Sequence, residues 1–260
     1  MFRAEQDLLQ NLAELPENDS QRLAVEGLLH IAQAHNALAR QIEELSRSDV
    51  TPEAVVVDPL VALATEFSAE GVKTPERYTA YWTNRWNILA PRAELTVEIA
   101  PCNYSQEELQ QLHEDGWALI YRPEGVTREH LGVIHPHLQS WTVEPGNTLK
   151  NEQERTGWLV VKDSADSPHL DTTEAQLIQA IQEQGVHGMT VDTYIVFGEE
   201  LHDRTGVYPD INTWSRLPGS RGGGRVVDAR RLTGGRLCVD AAWAPADRYP
   251  TMGGRSEGVK

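Results

Sequence analysis

Arginine and aromatic side chains concentrate in the last sixty residues of the chain. Residues 201–260 hold ten basic and six acidic side chains, a net charge of +4, whereas the whole chain carries −16. Arginine, tryptophan and tyrosine dominate binding hot spots because they combine a large contact area with hydrogen-bonding capacity. This tail therefore predicts a surface that binds a protein or other macromolecule. Its arginine and aromatic residues are Arg216, Arg221, Arg225, Arg230, Arg231, Arg236, Arg248, Arg255, Trp214, Trp243 and Tyr249.

Strand periodicity sorts part of this tail into two faces. Residues 225–231 and 236–242 alternate small apolar with polar side chains, which is typical of strands with one buried face. If the apolar residues point inward, the outward residues are Asp228, Arg230, Cys238 and Asp240. An ordinary solvated face of an antiparallel sheet is the alternative interpretation. Single-stranded nucleic acid also fits a mixture of arginine and aromatic residues, but the acidic remainder of the chain makes it a minority hypothesis.

Motifs for catalysis or for a cofactor are absent from the sequence. Gly222–Gly224 precede Arg-Val-Val instead of the Lys-Ser/Thr of a phosphate loop, and Ser220 lies between glycines in a predicted turn. His135-Pro136-His137 offers two imidazoles, but the proline predicts an extended segment whose side chains diverge. We therefore expect no metal, no cofactor and no catalytic residues.

Composition excludes several classes of protein. The net charge of −16 opposes binding of duplex nucleic acid, and no apolar run is long enough to span a membrane. Acidic residues near the N-terminus are not typical of a signal peptide. Two cysteines, Cys102 and Cys238, are too few for a disulfide framework. We expect a protein of the cytoplasm, or of a particle assembled there.

The N-terminal segment predicts helices. Residues 1–15 form an amphipathic pattern, and a second helix within residues 20–45 carries apolar residues in alternating steps of four and three, a heptad seam. We therefore expect residues 1–46 to form either a helical hairpin or a coiled coil, and the coiled coil would make a homo-oligomer. The seam consists of Ala24, Leu28, Ile31, His35, Leu38, Ile42 and Leu45.

Residues 47–150 read as an α+β middle region. Tyr78, Tyr81, Trp82 and Trp86 have helical spacing, which favours a buried aromatic stripe. Ser105 and Glu108 form a capping box for a helix that ends near Glu114. Residues 95–100, 117–122 and 139–143 are strand candidates, and residues 127–133 a helical turn.

Residues 151–260 predict a strand, two helices and then several strands. The first strand is residues 157–162, and threonines cap helices that begin near residues 174 and 191. Four short strand candidates follow at residues 213–217, 225–230, 236–242 and 254–259. This order favours an α+β fold with a small antiparallel sheet.

Residues 151–260 contain a strand around Trp214, Gly-Arg strands that begin at Gly224 and Gly235, and a closing Gly-Gly-Arg at Gly253. Together with the order of the elements, these features resemble the C-type-lectin-like fold. It is similar in particular to the ligand-binding domain of variable proteins of diversity-generating retroelements. The resemblance implies that the first and last strands pair and that residues on the late strands contact the ligand. Those positions would be Asp228, Arg230, Arg231, Cys238, Asp240, Trp243, Asp247 and Tyr249. The calcium-dependent sugar motifs Glu-Pro-Asn and Trp-Asn-Asp are absent, so calcium-mediated sugar binding is not expected.

The hypothesis from sequence is a noncatalytic recognition protein with a helical N-terminal region and a C-terminal lectin-like domain. Two alternatives stay open. One is an enzyme of unrecognised type that uses acidic residues of the middle region. A deep pocket would favour this alternative. The other is a structural component of a phage particle that assembles through the heptad seam.

Overall fold

The computed structural model describes residues 57–259, which belong to one compact unit that begins at Val57. The helical hairpin or coiled coil expected in residues 1–46 lies outside the described residues. Between residues 57 and 259 the chain mixes helices with largely antiparallel sheets, so the α+β class is confirmed.

Local capping signals set the starts of the helices. Ser105 and Glu108 form the expected capping box, and Thr173 and Thr190 each accept a hydrogen bond from a backbone N–H of the first turn. The aromatic stripe also lies where its spacing predicts. The described helices are α1 (Pro59–Ala69), α2 (Pro75–Leu89), α3 (Gln106–Glu114), α4 (Arg128–Ile134), α5 (Glu174–Glu183) and α6 (Val191–Thr205), with short 3-10 turns at Ala90–Ala93, Pro136–Leu138 and Trp141–Val143.

One sheet pairs the last strand of the chain with strands from the middle of the chain. Its strand order is β1-β3-β9-β4 and every pair is antiparallel. Val160 of β3 lies opposite Gly258 of β9, so the expected pairing of these two strands is present. Because β1 also pairs with β3, residues 117–122 share a sheet with the region after residue 150. The strands are β1 (Trp117–Arg122), β3 (Gly157–Lys162), β4 (His187–Gly188) and β9 (Ser256–Val259).

A second sheet carries most of the tail. Its order is β2-β5-β6-β7, and β8 pairs in parallel with β5. The turn expected at residues 218–222 is instead the second half of β5, which continues past an irregularity between Leu217 and Arg221. The strands are β2 (Lys150–Asn151), β5 (Trp214–Gly222), β6 (Arg225–Arg231), β7 (Leu237–Asp240) and β8 (Met252–Gly254).

The backbones of the two sheets approach each other closely where β4 passes β5. Gly219 donates its backbone N–H to the carbonyl of Met189 at 3.0 Å. A Cβ on Gly219 would lie 2.9 Å from that carbonyl oxygen, and one on Gly188 would collide with Pro218. Only glycine therefore fits at this crossing.

Helix α6 is central to the core. Its residues Tyr194, Ile195 and Phe197 are fully buried, as are the α2 aromatics Tyr81 and Trp86, which confirms the aromatic stripe as core. None of the helices between residues 57 and 259 is long and apolar enough to cross a membrane.

Two strand predictions are wrong. Residues 95–100 run without a ladder partner, although Leu95, Val97 and Ile99 pack against the core while the residues between them are exposed. Residues 139–143 contain a 3-10 turn at Trp141–Val143.

Candidate functional site

One face of the second sheet carries the side chains that the sequence singled out. Ser215 lies opposite Ala229, and both are buried on the inner face. Trp214 and Arg230 therefore occupy the other face, because successive side chains of a strand alternate. Residues 241–251, which connect β7 to β8, fold against this face.

Three aromatic rings and one guanidinium group form a continuous cluster on this face. The rings of Trp214 and Trp243 are 6.5 Å apart between centroids, and Trp243 meets Tyr249 edge to face at 4.9 Å. The guanidinium carbon of Arg230 lies 4.8 Å from the centroid of Trp214. Trp214, Trp243 and Arg230 are half-buried and Tyr249 is 43% exposed. We call these four residues the aromatic–arginine surface.

The remaining accessible residues of the expected site surround this surface. Cys238 lies opposite Arg230 in the β6–β7 pairing and is a half-buried free thiol. The exposed carboxylate of Asp240 accepts backbone N–H groups of Ala241 and Ala242. The carboxylate of Asp247 accepts the N–H of Ala244 at 2.9 Å. Both aspartates therefore shape the connection between β7 and β8.

Asp228 lies on the outer face of the sheet, as alternation predicts, but the exposure expected for it is wrong. Asp228 is buried, and one carboxylate oxygen lies 3.7 Å from Nε of Arg216. Arg216 in turn donates to the carbonyl oxygens of Thr172 and Asp247, both at 2.7 Å. Burial raises the pKa of Asp228 to about 7, although Arg216 opposes that rise. Asp228 is therefore shielded from a ligand.

The outward position expected for Arg231 is also wrong, because this residue shares the inner face with Val227 and Ala229. Its side chain is 0% exposed. One guanidinium nitrogen donates to Glu199 of α6 at 2.6 Å and another donates to the carbonyl of Gly235. Gly198 makes room for the guanidinium, since a Cβ there would lie 3.2 Å from it. Arg231 joins β6 to α6.

The imidazoles of His135 and His137 converge, contrary to the divergence that Pro136 predicted. His135 ends α4 and Pro136–Leu138 forms a 3-10 turn, which brings both rings to the same carboxylate. His135 Nδ1 is 3.4 Å and His137 Nε2 is 3.1 Å from Glu199. Burial lowers the pKa of His135 to about 3. Burial alone would raise the pKa of Glu199, but Arg231 and the histidines hold it below its ordinary value.

A separate cavity of about 640 Å³ lies between β1, α4 and the start of α6. Two arginines line it: Arg128 contacts Asp192 at 3.2 Å, and Arg122 contacts Glu154 at 2.7 Å. Within the described part of the chain, Nε of Arg122 is buried with no hydrogen-bond partner. The lining mixes apolar and charged side chains, and its two arginines are paired with carboxylates. Sequence reasoning missed it, because its residues come from separate segments with no shared motif.

No family model, curated protein or solved structure matches the chain.

Proposed function

We propose that the protein is a noncatalytic recognition protein that binds a protein ligand through the aromatic–arginine surface. The observation that carries this proposal is the accessible cluster of Trp214, Arg230, Trp243 and Tyr249, whose rings and guanidinium group contact one another. Tryptophan, tyrosine and arginine are the residue types most enriched in binding hot spots.

The support beneath this surface favours tight binding. Arg216 holds residues 241–251 through the carbonyl of Asp247, and Asp240 and Asp247 close turns within the same segment. A surface that is fixed before the ligand arrives loses less conformational entropy on binding. Aromatic side chains add contact area at a small entropic cost.

The lectin-like interpretation of residues 151–260 remains part of the proposal. The antiparallel pairing of β3 with β9 and the position of the surface on the late strands support it. On this interpretation the accessible members of the expected site are Arg230, Cys238, Asp240, Trp243, Asp247 and Tyr249. A retroelement-diversified protein would vary at these positions and keep Asp228 and Arg231 constant, because both are buried.

The test compares two matched double variants of the full chain. Arg230→Glu with Tyr249→Ala reverses one charge and removes one ring of the surface. Arg236→Glu with Trp141→Ala does the same elsewhere, at an exposed arginine and at a tryptophan that is 41% exposed. A partner is captured with the wild-type chain, identified, purified and titrated by calorimetry. We expect the first variant to raise Kd at least about 30-fold and the second less than about 3-fold.

Equal binding by both double variants would show that the surface is not the binding site. A larger loss in the control variant would move the site toward Trp141. Circular dichroism of each variant, matched to wild type, assigns the effect to contact and not to unfolding.

The cavity lined by Arg122 and Arg128 favours a second candidate function, the binding of a small polar ligand. An enzyme would bind its substrate in such a cavity. Its volume falls within the range of small-molecule sites, and the buried Nε of Arg122 could donate to a ligand acceptor. Ligand screening by NMR would distinguish the two candidates, because cavity ligands shift the amides of residues 124–129 and leave those of residues 241–251 unchanged.

A further inference from the structure

Two imidazoles and one carboxylate meet at a point remote in sequence from the aromatic–arginine surface. They come from His135, His137 and Glu199. Within residues 57–259 this is the one group of at least three histidine, cysteine or carboxylate side chains whose donor atoms converge, all within 4.8 Å of one another. His135 lies at the end of α4, His137 lies in the 3-10 turn that follows it, and Glu199 lies in the middle of α6.

The separations between the carboxylate and each imidazole match the edges of a metal coordination shell. Ligand atoms that lie 2.0–2.1 Å from a tetrahedral zinc ion are about 3.3 Å from one another. Oε2 of Glu199 is 3.4 Å from His135 Nδ1 and 3.1 Å from His137 Nε2. We propose that His135, His137 and Glu199 bind a first-row divalent transition metal ion, with zinc as the resident ion.

The surroundings orient the carboxylate for this role. Oε1 of Glu199 accepts a 2.6 Å hydrogen bond from buried Arg231 and also lies 3.1 Å from His137 Nε2, while Oε2 lies within 3.4 Å of both imidazoles. Such a second contact fixes a ligand and tunes its affinity for the metal. Two arginines lie nearby: Arg85 is paired with Asp203 at 2.7 Å, whereas Arg231 shares the carboxylate of Glu199 with the proposed ion, so its charge lowers the affinity of the site for a cation.

The site also reaches solvent through one of its ligands. The side chain of His137 is 36% exposed, whereas Glu199 is 5% exposed. The hydroxyl of Tyr208 lies 3.4 Å from His137 Nε2. Gly235 keeps this side open, because a Cβ there would lie within 2.7 Å of both His137 and Tyr208. Three protein ligands with one further position are typical of zinc sites that keep a water or a substrate.

Two nitrogens and one oxygen define the class of metal. Calcium and magnesium prefer shells made only of oxygen, whereas imidazole favours zinc, cobalt, nickel, copper and iron. The proposal therefore predicts selectivity for zinc and cobalt over magnesium. It is independent of the recognition function, because none of its ligands belongs to the aromatic–arginine surface.

The experiment uses the untagged full chain after dialysis against a chelator. Cobalt(II) serves as the probe, because its visible absorption reports coordination by nitrogen and oxygen, and zinc is then added in competition. We expect one cobalt ion per chain, loss of the visible bands on addition of one equivalent of zinc, and no effect of a large excess of magnesium.

Two variants separate the site from adventitious binding. His137→Gln removes the exposed ligand and should weaken cobalt binding at least about 100-fold. His113→Gln alters an exposed histidine of α3 and should bind as wild type does. Failure of the wild-type chain to bind one equivalent of cobalt would overturn the proposal, as would equal affinity of wild type and the His137→Gln variant. Wild-type binding that is lost equally in both variants would also overturn it.

Discussion

Removal of the Arg255 guanidinium is expected to destabilise the protein severely. Arg255 connects β8 to β9 and is almost fully buried, with Nε and Nη2 each 2.9 Å from a different oxygen of Asp210. Nη2 also donates to the carbonyl oxygens of Ser164 and Ala165 at 3.1 and 3.2 Å. Arg255→Met keeps most of the side-chain volume and leaves the carboxylate of Asp210 buried without its partner.

The expected loss can be estimated from the burial of the pair. Breaking a fully buried ion pair by removing one partner costs about 3–5 kcal/mol. A domain of this size loses roughly 2–4 °C of Tm per kcal/mol, so Tm should fall by about 6–20 °C. Asp210 has a φ of +57°, which asparagine tolerates, so Asp210→Asn removes the charge without adding backbone strain.

Urea denaturation followed by tryptophan fluorescence measures this loss. All seven tryptophans lie between residues 82 and 243, so the signal reports the described unit. The double variant Arg255→Met with Asp210→Asn should lose clearly less than the sum of the two single losses, because no unpaired charge remains. The exposed Arg236→Met is the control and should change stability by less than about 0.5 kcal/mol. A loss below about 1 kcal/mol for Arg255→Met, or strict additivity in the double variant, would refute the role assigned to the pair.

Two further substitutions test other parts of the fold. Burial raises the pKa of Asp228 above its unfolded value, so its protonated form is favoured in the folded state. The stability that this group supplies is present below about pH 4 and is lost as the pH rises to about 7. Asp228→Asn should therefore stabilise the protein by roughly 2–4 kcal/mol at pH 8 and change its stability little near pH 4. Urea titrations at both pH values measure the two effects. If the gain is the same at both pH values, burial of a charged carboxylate is not its cause. Gly219→Ala should lower the free energy of unfolding by about 1–3 kcal/mol, measured by thermal denaturation, because its Cβ would meet the backbone of Gly188 and Met189. Gly71→Ala is the control and should be nearly neutral, because the space around Gly71 is open. Equal effects of the two substitutions would contradict the close crossing of β4 and β5.

Local signals predicted those elements whose ends are fixed within a few residues. The capping box of Ser105 and Glu108 lies within one turn of the chain, and the sequence alone located α3 from it. Residues 157–162 are largely apolar and form β3 at the predicted bounds. In both cases the physical cause of the element is contained in the residues that compose it.

Predictions failed where the cause lies elsewhere in the chain. Residues 95–100 alternate in burial as a strand does, but alternation reports one-sided burial and not the presence of a neighbouring strand. The contact between Arg231 and Glu199 joins residues 32 positions apart and depends on the packing of β6 against α6. Strand alternation puts Arg231 on the same face as Val227 and Ala229, and the outward position expected for it came from the resemblance to the lectin-like fold.

Three arginines of the tail are internal to the protein, and this changes what the surface can recognise. Arg216, Arg231 and Arg255 are buried, and each donates to backbone carbonyl oxygens of the described unit. Their guanidinium groups are therefore engaged inside the fold: Arg216 and Arg255 lie beside aspartates of the tail itself, and Arg231 pairs with Glu199. Of the arginines on the sheet face, Arg230 remains accessible, and its guanidinium lies against a ring. Affinity at the aromatic–arginine surface should consequently come from apolar contact area and depend only weakly on salt, as expected for a protein ligand and not for a nucleic acid.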